Sequence, residues 1–170
     1  MSSRQPDPGR ILAGPATLLF GLGNSGRSDD GLAWAFLDQI QKDGDFPGQL
    51  EYRYQLQVED AALVSQVDHV IFIDSYKGEL AGGFQWKPCN PAKDFEFTSH
   101  VLPPRAVMHY CLELYGKTPR ADLLMIQGVC WDLQIGLSAQ AKQNLESALR
   151  FYQGHCQPET GTGAESDQGR

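Results

Sequence analysis

Unbroken apolar runs alternate with segments of helical period along this chain. Residues 16–20 are apolar throughout apart from one threonine and lie between Pro15 and Gly21, as in a strand covered on both faces. A glycine-rich turn follows. From Asp30 onward Leu32, Trp34, Ala35, Leu37 and Ile40 recur at helical spacing, and Gly44 and Pro47 end that helix. Residues 50–56 read as a second strand, 59–67 as a short helix, and 69–73 (HVIFI) as a buried strand closing on Asp74. Residues 82–87 suit an edge strand. Pro104 starts a helix that runs to Tyr115, residues 122–129 form the last apolar strand, and Ser138 caps a helix through Tyr152 striped by Ala141, Leu145, Ala148 and Leu149.

Strands that are apolar on both faces and separated by helices predict an α/β fold, a three-layer sandwich with a mostly parallel central sheet flanked by helices. The 170 residues suffice for one domain, expected over residues 15–153. Residues 1–14 are expected to be a flexible extension. Residues 154–170 lack large apolar side chains, so they too are expected to be flexible.

Charge narrows the partners. The formal net charge is -7, with no cluster of Lys and Arg to neutralise a phosphate backbone, which argues against nucleic acid. No apolar run reaches the roughly 20 residues of a membrane span, and no signal-type apolar core opens the chain, so the reading is cytoplasmic, with no membrane partner. A monomer is expected. The four cysteines, Cys89, Cys111, Cys130 and Cys156, contain no CxxC pair and read as inert thiols rather than as a zinc or redox site. Trp131 and Leu137, after the last strand, read as packed, with contact to a partner as the alternative.

In open parallel sheets ligands bind beyond the carboxyl ends of the strands. Three places there carry chemistry: the turn GLGNSGRSDDG, Asp74, and the group Thr98, Ser99 and His100. Gly21, Gly23 and Gly26 spell the GxGxxG of dinucleotide sites, but Asp29 and Asp30 at the helix start would repel a pyrophosphate and would suit a cation. A structural reading, in which Ser28 or Asp29 caps the helix and Asp30 balances its dipole, weighs evenly for Asp29 and less for Asp30. Asp74 has the alternative of accepting hydrogen bonds from its own turn. His100 has that of a structural histidine. Together, one imidazole and two carboxylates from three strand ends make an open divalent-metal site of Asp30, Asp74 and His100. His69 falls at the opposite end of the sheet, His109 is read as packed and His155 as solvated. Neither the GxSxG elbow of a serine hydrolase nor the HExxH of a zincin is present.

Taken in order, these elements resemble the maturation proteases of [NiFe]-hydrogenases, over nearly the whole folded chain. GLGNSGRSDDG is similar to that family's turn of glycine, asparagine and paired acids, and puts Asp30 at its first metal-contacting carboxylate. HVIFID followed by Gly78 resembles its second element and puts Asp74 at the second carboxylate. TSHVLPP resembles the histidine loop, with His100 as the metal histidine, and GVCWDLQIGLS resembles the closing strand and turn. The chain departs from that pattern at Ser25 and Gly26, where an apolar pair is usual, and at Ala33 and Pro103, each in place of a glycine. The resemblance implies an endopeptidase that removes the C-terminal extension of a hydrogenase large-subunit precursor. It also implies nickel, supplied by that precursor, as the recognition signal, with zinc or another divalent ion able to substitute. Carriage of nickel without cleavage and dinucleotide binding are the alternatives.

Overall fold

The computed structural model describes residues 5, 7–93 and 101–158. Strand β1 (Ile11–Ala13) precedes β2 (Thr17–Leu22); a single 3-10 turn, Ser28–Gly31, leads into α1 (Leu32–Asp43) and then β3 (Gln49–Arg53). Next come α2 (Asp60–Val64), β4 (His69–Lys77), β5 (Phe84–Pro88), α3 (Pro104–Tyr115), β6 (Arg120–Gly128), α4 (Ala139–His155) and β7 (Cys156–Pro158). The main sheet has the order β3-β2-β4-β6-β5, with only β5 antiparallel. The α/β sandwich expected from the sequence is the fold.

Side chains alternate across the sheet, and both faces are dry because helices cover each. Leu19, Ile71, Ile73, Leu124 and Ile126 pack under α1 and α4 against Phe36, Leu37, Ala148 and Tyr152. Leu18, Phe20, Val70 and Phe72 face the other way, under α2 and α3, against Val64, Val107, Met108 and Cys111. Pro104 opens α3, and Ser138 caps α4 by accepting a hydrogen bond from the Ala141 N–H at 3.1 Å. No helix among the described residues is long and apolar enough to cross a membrane.

Some expected boundaries move. The run expected to end at Ile73 continues to Lys77, because β6 pairs with β4 as far as Lys77↔Gly128. Asp74 therefore lies within a strand, level with Leu22, the last residue of β2. The strand expected over residues 50–56 stops at Arg53, and Leu56 instead bridges Leu102.

Strand structure is also found outside the residues 15–153 expected for the domain. Ile11 is fully buried in the core beneath α4, and β1 pairs in parallel with β7 in the register Ile11↔Cys156. Gly154 and His155 finish α4, and the His155 ring lies half-buried against Phe151 rather than solvated. Composition missed this segment because ladder hydrogen bonds come from the backbone, whatever the side chains are. Farther upstream, Gln5 receives the Trp86 N–H and donates to the Phe84 carbonyl, so one side-chain amide covers the outer edge of β5.

Candidate functional site

The strand order places the reversal of the chain between β2 and β4, since β3 lies on one side of β2 and β4 on the other. The crevice at their carboxyl ends is where this architecture binds ligands. Asp30 reaches it from the turn after β2, and Asp74 from within β4. Both line a cavity of about 470 Å³, walled also by Leu22, Gly23, Tyr54, Gln55, Leu56 and residues 101–104.

Gly23 makes this possible. Its φ is +144°, and a Cβ there would meet the Asp30 carbonyl oxygen at 2.0 Å. That oxygen accepts the Asn24 N–H at 3.0 Å, while the Asn24 side chain accepts the Gly26 N–H at 2.8 Å. The glycines thus fold the turn onto its own acid. Ser75 Oγ donates to Asp30 Oδ1 at 3.2 Å and orients that carboxylate.

Asp74 is electrostatically uncomfortable. Burial pushes its carboxyl up to about 7; the Ser75 N–H pulls it down in part, and the charge of Asp30 pushes it up further. Among the described residues no Lys, Arg or His forms an ion pair with it. A cation between the two acids would restore the ionised form, so the donor set fits a divalent ion. His100, Thr98 and Ser99 lie outside the described residues; Val101, next to His100 in sequence, lines the cavity. Among the described residues no group of three His, Cys, Asp or Glu side chains is placed to hold a metal.

Asp29 has a different task. It is fully buried, and its Oδ2 accepts from the Val129 and Cys130 N–H groups at 2.8 and 2.9 Å and from the Ser138 hydroxyl at 2.8 Å. Its Oδ1 accepts the Ser138 N–H at 2.7 Å. Burial alone would raise its pKa, but these bonds outweigh burial and hold the carboxyl below its usual value. Neither Ser28 nor Asp29 caps α1; the helix starts after Gly31 with no side-chain cap, and Asp29 instead ties its turn to the loop before α4. Gly128 permits the approach, since a Cβ there would meet Asp29 Cβ at 2.7 Å.

Sequence reasoning missed Ser75, Tyr54, Gln55 and the partners of Asp29. For Ser75 the only available signal was its place directly after Asp74. Cys89 and Cys111 are buried, as their inert reading expects, and burial, aided by the charge of Asp122, pushes Cys89 up to about 11 despite Lys87 and Arg105 nearby; Cys130 and Cys156 are partly exposed.

Two carboxylates that have no ion-pair partner among the described residues thus meet at the strand-order switch of an α/β sheet, and solved structures share that fold. No protein-family model matches the chain, and no curated protein matches its sequence. Solved structures do match its fold. The [NiFe]-hydrogenase maturation protease HycI of Thermococcus kodakarensis superposes with a TM-score of 0.62 at 22% identity, covering 80% of this chain and 88% of its own. The hydrogenase maturating endopeptidase HybD of E. coli gives 0.58 at 20%, with 79% and 87% covered. A hydrogenase 2 maturation peptidase from Thaumarchaeota archaeon SCGC_AB-539-E09 gives 0.55 at 16%, with 81% and 95%. The chain has the fold of the hydrogenase maturation proteases.

Proposed function

We propose that this protein is an endopeptidase that removes the C-terminal extension of a nickel-loaded [NiFe]-hydrogenase large-subunit precursor. The observation that carries the reading is the meeting of Asp30 and Asp74, two acids from separate strand ends, at one open cavity of this fold. Their positions are those that the family resemblance gives to its metal carboxylates, and His100 would complete the set.

The residues divide the work. Asp30, steadied by Ser75, presents its carboxylate to a positive charge in the cavity. Without a bound ion Asp74, raised by burial and by Asp30, can take up or release a proton close to physiological pH; with an ion between the two acids it is ionised and serves as a ligand instead. A divalent ion held by Asp30, Asp74 and His100 would polarise the scissile carbonyl and lower the pKa of water. In this reading nickel arrives as part of the substrate, and zinc or another divalent ion can replace it. A set of two carboxylates and one imidazole, without thiolate, suits such a visiting ion better than a permanent structural one.

Carriage of nickel without cleavage would use the same donors. Dinucleotide binding is disfavoured, because the Asp30 carboxylate lines the cavity beside Gly23 and would repel a pyrophosphate. Incubating nickel-loaded precursor with the protein and weighing the large subunit separates the first two readings. A shortened subunit supports the endopeptidase; an unchanged mass with retained nickel supports carriage.

A further inference from the structure

The loop over residues 129–138 leaves the carboxyl end of β6 and reaches the cap of α4. Three alternate carbonyls along it are engaged by the turn that carries Asp30. The Cys130 carbonyl accepts the Asp29 N–H at 3.1 Å, that of Asp132 accepts the Ser28 hydroxyl at 3.0 Å, and that of Gln134 accepts the Ser28 N–H at 2.8 Å. With the four bonds to the Asp29 carboxylate, the loop is fastened along its length.

The side chains between these anchors are unusual for so constrained a segment. Leu133 is 84% exposed, Ile135 91% and Val129 51%, whereas Trp131 turns in over Gly128 and Leu137 packs on the core. Three large apolar side chains within seven residues thus face water on a loop with little slack to hide them. Each would stabilise the fold as well if it were polar, since none buries much surface. Grouped exposure of this kind marks a contact surface.

We infer that Leu133 and Ile135 dock the folded body of the large-subunit precursor, meeting an apolar face of it while its C-terminal tail enters the Asp30–Asp74 cavity. This rests on the endopeptidase reading for the identity of the partner. Continuity favours that occupant over a second copy of this chain: the loop is bonded to the Ser28–Gly31 turn, so a body whose tail reaches Asp30 must lie over the same end of the sheet. The loop's one charged residue is Asp132, so the contact is apolar rather than ionic. Anchored side chains lose little conformational freedom on association, which favours binding.

The test is direct binding of nickel-loaded precursor to immobilised protein, with the large subunit weighed afterwards. The double variant Leu133→Ser, Ile135→Ser should keep the thermal midpoint and weaken binding about 10- to 100-fold, as loss of two apolar anchors does. Leu114→Ser is the control. Leu114 is 59% exposed near the end of α3, which leads to the start of β6 and so lies at the opposite end of the sheet; it should bind like the wild type. Unchanged binding by the double variant, equal weakening by Leu114→Ser, or no binding by the wild type overturns the docking surface. Binding with the expected pattern but no shortening of the subunit leaves the docking surface standing and removes the endopeptidase.

Discussion

Strand β4 and its neighbours hold an acid at each end, and the two have opposite surroundings. At the amino end Asp122 on β6 is buried but doubly paired, with His69 Nε2 at 2.8 Å and Arg120 Nε at 2.9 Å. Arg120 gives two further N–H groups to the carbonyls of Pro8 and Arg10, drawing in the N-terminal segment. At the carboxyl end Asp74 faces another acid and an open cavity. A carboxylate taken from water is stable when neighbours replace its solvation, and otherwise shifts its pKa or awaits a cation. The amino end is built for cohesion; the carboxyl end keeps unspent affinity for charge.

That contrast breaks most sharply at the cavity. Asp30→Asn, Asp74→Asn and His100→Ala should each lower precursor processing by about 10²-fold or more, the scale on which general acid–base groups act. The amides keep the shape of the acids but lose their charge, so the thermal midpoint should stay within a few degrees. A folded variant that processes precursor at the wild-type rate takes its residue out of the site.

The amino end should respond in the opposite sense. Asp122→Ala leaves the buried His69 ring without its hydrogen-bond partner, while the partly exposed Arg120 can turn to water, at a cost of about 1–3 kcal/mol. Urea unfolding should report that loss, while processing per folded molecule stays near wild type. A stable but inactive variant would mean that the two ends are not separable.

Asp29 lies between these extremes, one residue from the cavity yet fully engaged. In Asp29→Asn an amide must replace a carboxylate that accepts four hydrogen bonds, and its N–H₂ would face donors, at a cost of about 2–3 kcal/mol. Processing should fall less than in Asp30→Asn. The lowered pKa of Asp29 also sets a direction with pH: its stabilisation is present above the ordinary carboxylate range and is lost as pH falls through the depressed value. Acid unfolding of Asp29→Asn should lack that component.

How much of this was legible follows from the kind of signal each feature leaves. Strands β2, β4 and β6 announced themselves as apolar runs because both faces are covered, and Asp30 and Asp74 stood out as charges where such runs give way. Asp29 could not be separated from Asp30, because its partners Val129, Cys130 and Ser138 lie 100 or more positions away and are mostly backbone N–H groups without a residue signature. The β1–β7 pair was invisible for the same reason. Leu133 and Ile135 look like any apolar residues in sequence; only the fastened carbonyls of their neighbours Asp132 and Gln134 distinguish a displayed side chain from a packed one.

The finest test of the two-ended picture is the pH dependence of stability in the absence of added metal. Asp74 goes from an ordinary 3.8 to about 7 on folding, so between these values the native state holds a proton that the unfolded chain has released. The sign follows: stability falls as pH rises from about 4 to about 7 and levels off above, because ionising Asp74 beside Asp30 is harder in the folded protein. The full shift has an upper bound of about 4 kcal/mol, and water at the open cavity mouth reduces it, leaving an expected fall of about 1–2 kcal/mol. Asp74→Asn cannot ionise, so its urea midpoint should lack this decline and exceed that of the wild type at pH 8 while the two converge near pH 4. Added zinc should reverse the decline in the wild type, since an ion that binds only the native site stabilises it, and should leave the variant nearly unmoved. Parallel pH curves for the two proteins would mean that Asp74 is as well satisfied as Asp122, and the contrast between the ends of β4 would disappear.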